Sequence, residues 1–381
     1  MTGPVRCEAV IELSAVRANV RALRSRLRPG TALMAVVKAD GYGHGAVPVA
    51  GAALAAGADL LGVATPAEAV ALRAAGVDAR LVAWLWTPLQ DPGPALALGV
   101  ELGVSSPAQL DAVLAAGDVG GRPRIHLKVD TGLGRGGAAG ADIAVLLAAA
   151  ATAAAAGRVE VVGLMSHLAS ADIPGDPSVA EQAAAFAAAR QAAAAAGLTP
   201  AAHLANTAAV LDHPELQLDL VRTGIGLYGL SPVADPAGLR PAMTLRAAVA
   251  LTKRVPAGHG VSYGLTYRTK AETTLALVPI GYGDGVPRAA SNAAEVLIGD
   301  ARRRIAGRVA MDQFVVDCGD APVSPGDEVL LFGPGDRGEP TARDWAVACG
   351  TIDYEIVTRI GPRTPRRYTG RDDEPPALRG D

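Results

Sequence analysis

Of the 35 basic residues in this 381-residue chain, only four are lysine: Lys38, Lys128, Lys253 and Lys270. A GC-rich codon usage accounts for that bias, but it also narrows the chemistry. Arginine cannot act as an amine nucleophile, whereas a lysine whose pKa is lowered can condense with a carbonyl. Cysteine is equally scarce. Cys7, Cys318 and Cys349 lie far apart and form no C-x-x-C pair, so neither a zinc site nor a disulfide framework is indicated, and a reducing compartment fits. No sign of charge dominates, with 35 Lys+Arg against 38 Asp+Glu and a net charge of -3. That balance argues against a nucleic-acid partner or a membrane surface. The longest apolar stretch, Ile143 to Ala156, is too short and alanine-rich to span a bilayer. The start, MTGPVRCEAVIEL, has acidic residues where a signal peptide needs an apolar run, so a cytoplasmic protein is expected. No G-x-x-x-x-G-K-[ST] occurs, which excludes a P-loop.

What is present is ample material for a core: half of the residues are hydrophobic and 19% are charged. A chain this long can bury about three quarters of its unfolded surface. From about residue 30 to 230, eight β-branched runs alternate with alanine-rich helical stretches. The runs are 32–38, 60–64, 81–85, 100–104, 124–129, 159–165, 201–206 and 217–221. Helices are expected over 65–75, 106–116, 142–156 and 178–196, with Thr65, Ser106, Asp142 and Ser178 as N-cap candidates. The alternation predicts a (β/α)8 TIM-type barrel, with a doubly wound sheet as the structural competitor. After Tyr228 the texture changes through the Pro/Gly-rich connection 231–242 into short β-rich runs, including 245–255, 273–280, 294–299, 304–309, 313–318 and 327–333, which read as a separate β domain. The expected layout is a strand at 1–13 pairing with the β domain, a barrel at 14–236, the β domain at 237–369 and a disordered tail at 370–381.

Reactive groups in such a barrel come from the C-terminal ends of the strands. Lys38 ends the first apolar run and enters a Gly-rich loop with Asp40, Tyr42 and His44. It reads either as a snorkelling or ion-paired lysine beside Asp40, or as a desolvated amine that condenses with an aldehyde such as that of pyridoxal phosphate (PLP). Gly224, Gly226 and Gly229 match G-x-G-x-x-G. They end a barrel, however, rather than opening the first helix of a βαβ unit, so a phosphate-holding loop is favoured over a dinucleotide fingerprint. Arg222 just before them could pair with a phosphate, a carboxylate or a cofactor ring atom.

The run AVVKADGYGHG (35–45) strongly resembles the PLP-binding segment of alanine racemases. The resemblance continues in order through LKVDTGLGR (127–135), MSHLASAD (165–172), HLANTAA (203–209), RTGIGLYG (222–229), VSYGLTYRT (261–269), IGYGDGVPR (280–288), GRVAMDQ (307–313) and TIDYEIVTRI (351–360). It covers nearly the whole chain. It implies a cytoplasmic PLP-dependent racemase that interconverts L- and D-alanine for peptidoglycan. It also implies a homodimer in which one subunit's barrel meets the other subunit's β domain.

By motif position, Lys38 would be the lysine that condenses with PLP, and Tyr263 of the second subunit the opposing acid/base. Tyr42, Thr207, the amides of Gly224 and Ile225, and Tyr354 would hold the phosphate, with Asn206 beside them. Thr207 stands where many members have serine. Arg222 would meet the pyridine nitrogen, Arg135 and the Met311 amide would orient substrate carboxylate and cofactor oxygen, and His167 would support the acid/base network. Tyr282 and Asp312 would join the substrate site, Lys128 matches a lysine carbamylated in some members, and no metal is implied. The resemblance gives Lys38 the proton of the D-enantiomer and Tyr263 that of the L-enantiomer. Three alternatives stay open: a serine or broad-specificity racemase, a diamino-acid decarboxylase of the same architecture, and a barrel-only PLP-binding protein. The decarboxylase should carry an acidic residue at the Arg222 position, and the last should lack a β domain.

Overall fold

The computed structural model describes residues 6–370 apart from Asp118, Pro236 and Ala237. All but the first residue of the expected tail, and the two residues flanking the expected 236/237 boundary, lie outside the described residues. The chain forms two compact units. One comprises Val16–Gly41 and Ala46–Leu239; the other takes the chain up to Ala15, Tyr42–Gly45 and everything from Arg240 on.

The first strand, β1 (Cys7–Glu12), belongs to the second unit, and the next eight build the first. These are β2 (Ala32–Val36), β3 (Leu60–Val63), β4 (Leu81–Ala83), β5 (Glu101–Val104), β6 (Arg124–Lys128), β7 (Glu160–Met165), β8 (Ala201–His203) and β9 (Leu220–Thr223). They are parallel and run β8-β7-β6-β5-β4-β3-β2-β9, so the last strand pairs with the first, Ala32 opposite Leu220. The remaining seam closes where Asp219 N donates to Ala202 O (3.2 Å) and Arg222 N to Ala205 O (2.9 Å). This is a (β/α)8 barrel, and the doubly wound alternative is excluded. Its strands are continuous apolar runs because both faces are covered: Leu33, Met34, Leu60, Leu61, Val82 and Leu102 are fully buried.

Thr65 caps the helix Pro66–Ala74 with a full capping box to Glu68, and Ser106 caps Pro107–Ala116. The other two expected caps differ. Gly140 precedes the helix Ala141–Ala155, leaving Asp142 in its first turn, and Ser178 lies inside Ser178–Ala195, its N–H taken by Asp176 Oδ1 at 2.9 Å. The eighth strand also starts later than the apolar run suggests. Gln217 is consumed by accepting from Arg28 N (2.8 Å) and donating to Arg26 O (3.0 Å), and Leu218 turns with φ 50°, so pairing begins at Leu220.

The second unit holds β10 (Met243–Ala248), β11 (Leu251–Val255), β12 (Gly260–Val261), β13 (Tyr267–Arg268), β14 (Thr273–Val278), β15 (Glu295–Ile298), β16 (Ala301–Arg304), β17 (Phe314–Asp317), β18 (Glu328–Phe332) and β19 (Arg366–Thr369). A six-stranded sheet runs β16-β15-β18-β10-β1-β19, beside sheets β11-β14-β17 and β12-β13. Val255, Val261, Leu275 and Ala306 form a core cluster flanked by Tyr267 and Val315. Two departures from the sequence reading occur here. The run 304–309 contributes only its first residue to a strand, with Ile305 making a single bridge to Val316, and two helices, Ala342–Cys349 and Asp353–Thr358, lie between β18 and β19. No helix among the described residues is long and apolar enough to cross a membrane.

Candidate active site

In the barrel unit, Lys38 follows β2 and begins a turn whose backbone is left-handed: φ is 51° at Ala39, 52° at Asp40, 61° at Gly41 and 52° at Tyr42. Each non-glycine residue in that region costs roughly 1–2 kcal/mol, so the surroundings must hold it. Ala39 N donates to Glu68 Oε1 (2.7 Å), Gly41 N to Val37 O (2.9 Å), Ala46 N to Asp40 Oδ1 (2.9 Å), and the buried Tyr228 hydroxyl to Val36 O (3.0 Å). Asp40 is therefore a turn-holding residue. Glu68 is the acid that favours the charged Lys38 amine, while its second oxygen accepts from Ala64 N and Thr65 N, both at 2.9 Å.

Four cationic side chains from the turn after β2, from β6, from the loop after β6 and from β9 act on one another here. Burial lowers the Lys38 pKa, Arg135 and then Arg222 lower it further, and Glu68 opposes them. Lys128, at the end of β6, is lowered by burial, then by Arg135, Arg222 and Lys38, against Asp130. Arg135 ends a loop wound around one carboxylate. Asp130 Oδ1 accepts from the amides of Gly132, Leu133 and Gly134, and Oδ2 from Arg135 N at 2.8 Å. Burial raises the Asp130 pKa, but those four amides outweigh it and hold the group ionised.

Arg222 on β9 is buried, and burial pushes its pKa down to about 10. Nη1 donates to His203 Nδ1 (3.1 Å) and His203 O (2.7 Å); Nη2 donates to Ser166 O (2.5 Å), His167 Nδ1 (3.3 Å) and Leu204 O (3.2 Å). Its Nε donates to no described group. His167 is kept neutral, its pKa pushed down to about 3 by burial and then by Arg222, Arg135, Lys38 and Lys128. Asn206 caps the helix Thr207–Asp212 by accepting from Ala209 N (3.0 Å). Thr207 Oγ1 accepts from Gly224 N at 3.0 Å, just before the turn Ile225–Tyr228. Lys38, Lys128, Arg135, His167, Asn206, Thr207, Arg222, Gly224 and Ile225 thus share the C-terminal ends of the barrel strands.

The other predicted residues belong to the β unit. Tyr42 and Tyr354 come together there, ring centroids 6.3 Å apart, and burial raises the Tyr42 pKa. Gly43 beside them must lack a side chain, since a Cβ would run into Val357 O. Tyr282 and Met311 meet through Tyr282 N to Ala310 O (3.0 Å) and Gly283 N to Met311 O (2.8 Å), while Asp312 pairs with Arg363 at 2.6 Å. Arg363 also reaches the fully buried Asp284, whose Oδ2 accepts from Gly281 N. Tyr263 opens a short turn, Tyr263–Leu265, preceded by Ser262 with φ 59° and tied by Ser262 Oγ to Arg308 O (2.6 Å). Tyr263 is 70% exposed, Met311 52% and Tyr282 41%, so three chemistry-bearing side chains of this unit face outward.

Glu68, Asp130, His203, Asp284 and Arg363 escaped the sequence reading as site residues. Thr65 was legible as an N-cap, but the part of Glu68, in the capping box and on the Lys38 turn, was not. Among the described residues no group of three or more His, Cys, Asp or Glu could hold a metal ion. The barrel site is thus suited to an anionic ligand carrying a carbonyl, with two depressed lysines, Lys38 and Lys128, to meet it and a buried arginine offering one uncommitted N–H.

Comparison with known proteins gives the same picture over the whole length. Residues 11–232 match the model described as alanine racemase, N-terminal domain, and residues 242–368 that of the alanine racemase C-terminal domain. The alanine racemase of Salinispora arenicola is 57% identical over 369 residues, spanning 95% of this chain and 98% of that protein. The crystal structure of the alanine racemase from a D-cycloserine-producing Streptomyces lavendulae has a TM-score of 0.95 at 55% identity, covering 97% of this chain and 98% of that one. That of the Bacillus anthracis alanine racemase with bound L-Ala-P has a TM-score of 0.90 at 34% identity, covering 97% of each chain.

Proposed function

The chain belongs to the alanine racemase family, and from that premise we propose that it interconverts L- and D-alanine with pyridoxal phosphate held at the C-terminal mouth of the barrel. The observation that carries the cofactor reading is the convergence of Lys38, Lys128, Arg135 and Arg222 on one site with Glu68 and Asp130 as the opposing carboxylates. Such a site favours an anion, and a phosphate with a phenolic oxygen and an aldehyde fits it. Arg222 Nε has a donor to give to a ring nitrogen, and the Thr207–Gly224–Ile225 turn has hydroxyl and amide groups to give to a phosphate. The family resemblance adds the Tyr42 and Tyr354 hydroxyls to that phosphate.

Pyridoxal phosphate, when bound, supplies the electron sink that makes the α-proton of alanine removable. The chain supplies the rest. Lys38 Nζ, whose pKa is lowered by burial and by Arg135, removes or returns the proton on one face, that of the D-enantiomer. Tyr263 Oη of a second copy serves the other face, and the outward-facing Tyr263, Tyr282 and Met311 suit a surface that a second copy covers. Arg222, which only donates, keeps the ring nitrogen it faces unprotonated, and so moderates the sink. His167 accepts from Arg222 as a neutral imidazole. Arg135 and the Met311 amide orient the substrate carboxylate and cofactor oxygen, and Tyr282 and Asp312 line the substrate's place. Lys128, beside Arg135 in charge if not in role, is a candidate for carbamylation.

Purified protein with pyridoxal phosphate and L-alanine, followed by chiral chromatography, should yield D-alanine. L-serine and L-lysine in parallel separate a strict from a broad racemase, and carbon dioxide release identifies a decarboxylase. No D-alanine from L-alanine overturns the proposal. Tyr263→Phe in deuterium oxide should suppress α-exchange of L-alanine far more than that of D-alanine, and equal suppression would remove the assignment of faces.

A further inference from the structure

Behind Arg222 the two histidines it touches part ways: His167 belongs to the site, but His203 leads into the barrel. His203 Nε2 lies 3.0 Å from His126 Nδ1, the rings edge to face with centroids 5.0 Å apart, and His126 Nε2 lies 2.7 Å from Glu101 Oε2. All are buried, with exposures of 0% for His203, 1% for His126 and 2% for Glu101. Gly163 on β7 makes the room, since a Cβ there would overlap the His126 ring. Glu101 is the first residue of β5 and receives Arg80 Nε and Arg124 Nε, both at 3.0 Å; Arg124 is the first residue of β6, and Arg80 directly precedes β4. The chain of side chains therefore runs through the barrel interior from the N-terminal strand ends to Arg222.

Barrel interiors are usually filled with Val, Ile and Leu. A carboxylate and two imidazoles in that place cost desolvation that apolar packing would avoid. Their protons admit one arrangement. Arg222 only donates, so His203 Nδ1 accepts. Neutral His203 then carries its proton on Nε2 and gives it to His126 Nδ1, which leaves the His126 proton on Nε2 for Glu101 Oε2. Protonating His126 fully, or Glu101 on that oxygen, would set two donors against each other and break the contact at Arg222.

We propose that Glu101, His126 and His203 are positioning residues for the racemase reaction, a one-way hydrogen-bond relay by which a carboxylate at the closed end of the barrel fixes the guanidinium that faces the cofactor at the open end. The idea rests on the reading that Arg222 faces that cofactor. Burial would raise the Glu101 pKa, but the hydrogen bonds from His126 and Arg80 outweigh it and hold it well below the usual carboxylate range, so the acceptor end of the relay is permanent.

The test is nitrogen-15 NMR of the histidine rings in the loaded protein and the apoprotein, with Glu101→Gln and Glu101→Met. The wild type should carry its His203 proton on Nε2. Glu101→Gln keeps an accepting oxygen and should keep that tautomer. Glu101→Met leaves the His126 Nε2 proton without its acceptor, so the strongly hydrogen-bonded Nε2–H signal of His126 should be lost while Arg222 still sets the His203 tautomer. The variant's racemisation should fall by roughly 10- to 100-fold, the usual weight of a partner that orients a site group from behind, and the absorbance of bound pyridoxal phosphate should shift. A wild-type His203 protonated on Nδ1, a Glu101→Met protein with wild-type racemisation and cofactor absorbance, or a Glu101→Gln protein as impaired as Glu101→Met overturns the relay. Should Glu101→Met not fold, Glu101→Asp, whose shorter arm withdraws the acceptor, takes its place against Glu101→Gln. Arg222→Gln with unchanged cofactor absorbance would refute the reading of Arg222 while leaving the tautomer pattern intact, so the two failures are distinct.

Discussion

The two ends of one barrel treat charge in opposite ways. Where the strands begin, Arg80 and Arg124 share Glu101, and Arg124 also reaches Glu160 at 2.9 Å. Where they end, Lys38, Lys128, Arg135 and Arg222 meet Glu68 and Asp130, whose oxygens are already occupied by backbone amides. The first arrangement satisfies itself within the chain; the second gathers four cations against two carboxylates already engaged by backbone. In this fold the strand ends that carry chemistry are the C-terminal ones, and the electrostatics alone distinguish them.

The contrast is most strongly broken by Lys38→Ala. Activity should fall by roughly 10³-fold or more, as when other covalent groups are removed, and the visible absorbance of bound pyridoxal phosphate should vanish. The urea stability of the apoprotein should hold or rise, because a partly buried cation has gone; retained absorbance would mean that another lysine carries the cofactor. Next in size is ligand linkage. Pyridoxal phosphate at about a hundred times its Kd should raise the unfolding free energy by about 2.7 kcal/mol. Arg135→Met should weaken that gain and Arg124→Met should leave it unchanged; equal effects of the two would erase the distinction.

The ends should also differ in pH dependence. Lys38 and Lys128 have lowered values in the fold, so between those values and about 10.4 the unfolded chain holds more protons and apoprotein stability rises with pH. Lys128→Met should flatten that alkaline rise in urea titrations. Glu101, lowered in the fold, contributes stability that is present above about 4.3 and lost as pH falls through its folded value. His167 adds stability present above about 6.5 and lost as pH falls toward about 3. Glu101→Gln should blunt the acid loss without touching the alkaline slope. The smallest effect belongs to Arg124→Met, about 0.2–1 kcal/mol, because Arg124 is itself well exposed and the buried Glu101 keeps Arg80 and His126 as partners; a loss several times larger would show that the closed end is more than a set of ordinary ion pairs.

Much of this architecture was legible in the chain, because buried parallel strands announce themselves as apolar runs: all eight barrel strands fall on or at the edge of the stretches expected, and the largest slip, at Gln217, comes from a side chain that hydrogen-bonds backbone instead of joining a sheet. Lys38 and Arg222 were legible as strand-end cations. Other features were not, for reasons of distance. Nothing local says that Glu101, His126 and His203 form a line, since three separate strands must close before they meet. Nor does ADGY advertise a left-handed turn, because Ala39 and Tyr42 favour other regions and are held by Glu68 and their surroundings. In the β unit the runs indicated strands, but 304–309 leaves the sheet after one residue, and the helices after β18 had no apolar stripe long enough to signal them.

The pairing of the first barrel strand with the last carries a consequence for how the molecule is made. Ala32 stands opposite Leu220, and Lys38 finds its coulombic neighbour Arg222 only once β9 has closed beside β2. Contacts so distant in sequence form late, after the loop-closure entropy of nearly the whole barrel has been overcome. The environment that lowers the Lys38 pKa is therefore complete only when the last strand has joined the first, since Arg222 is carried on that strand.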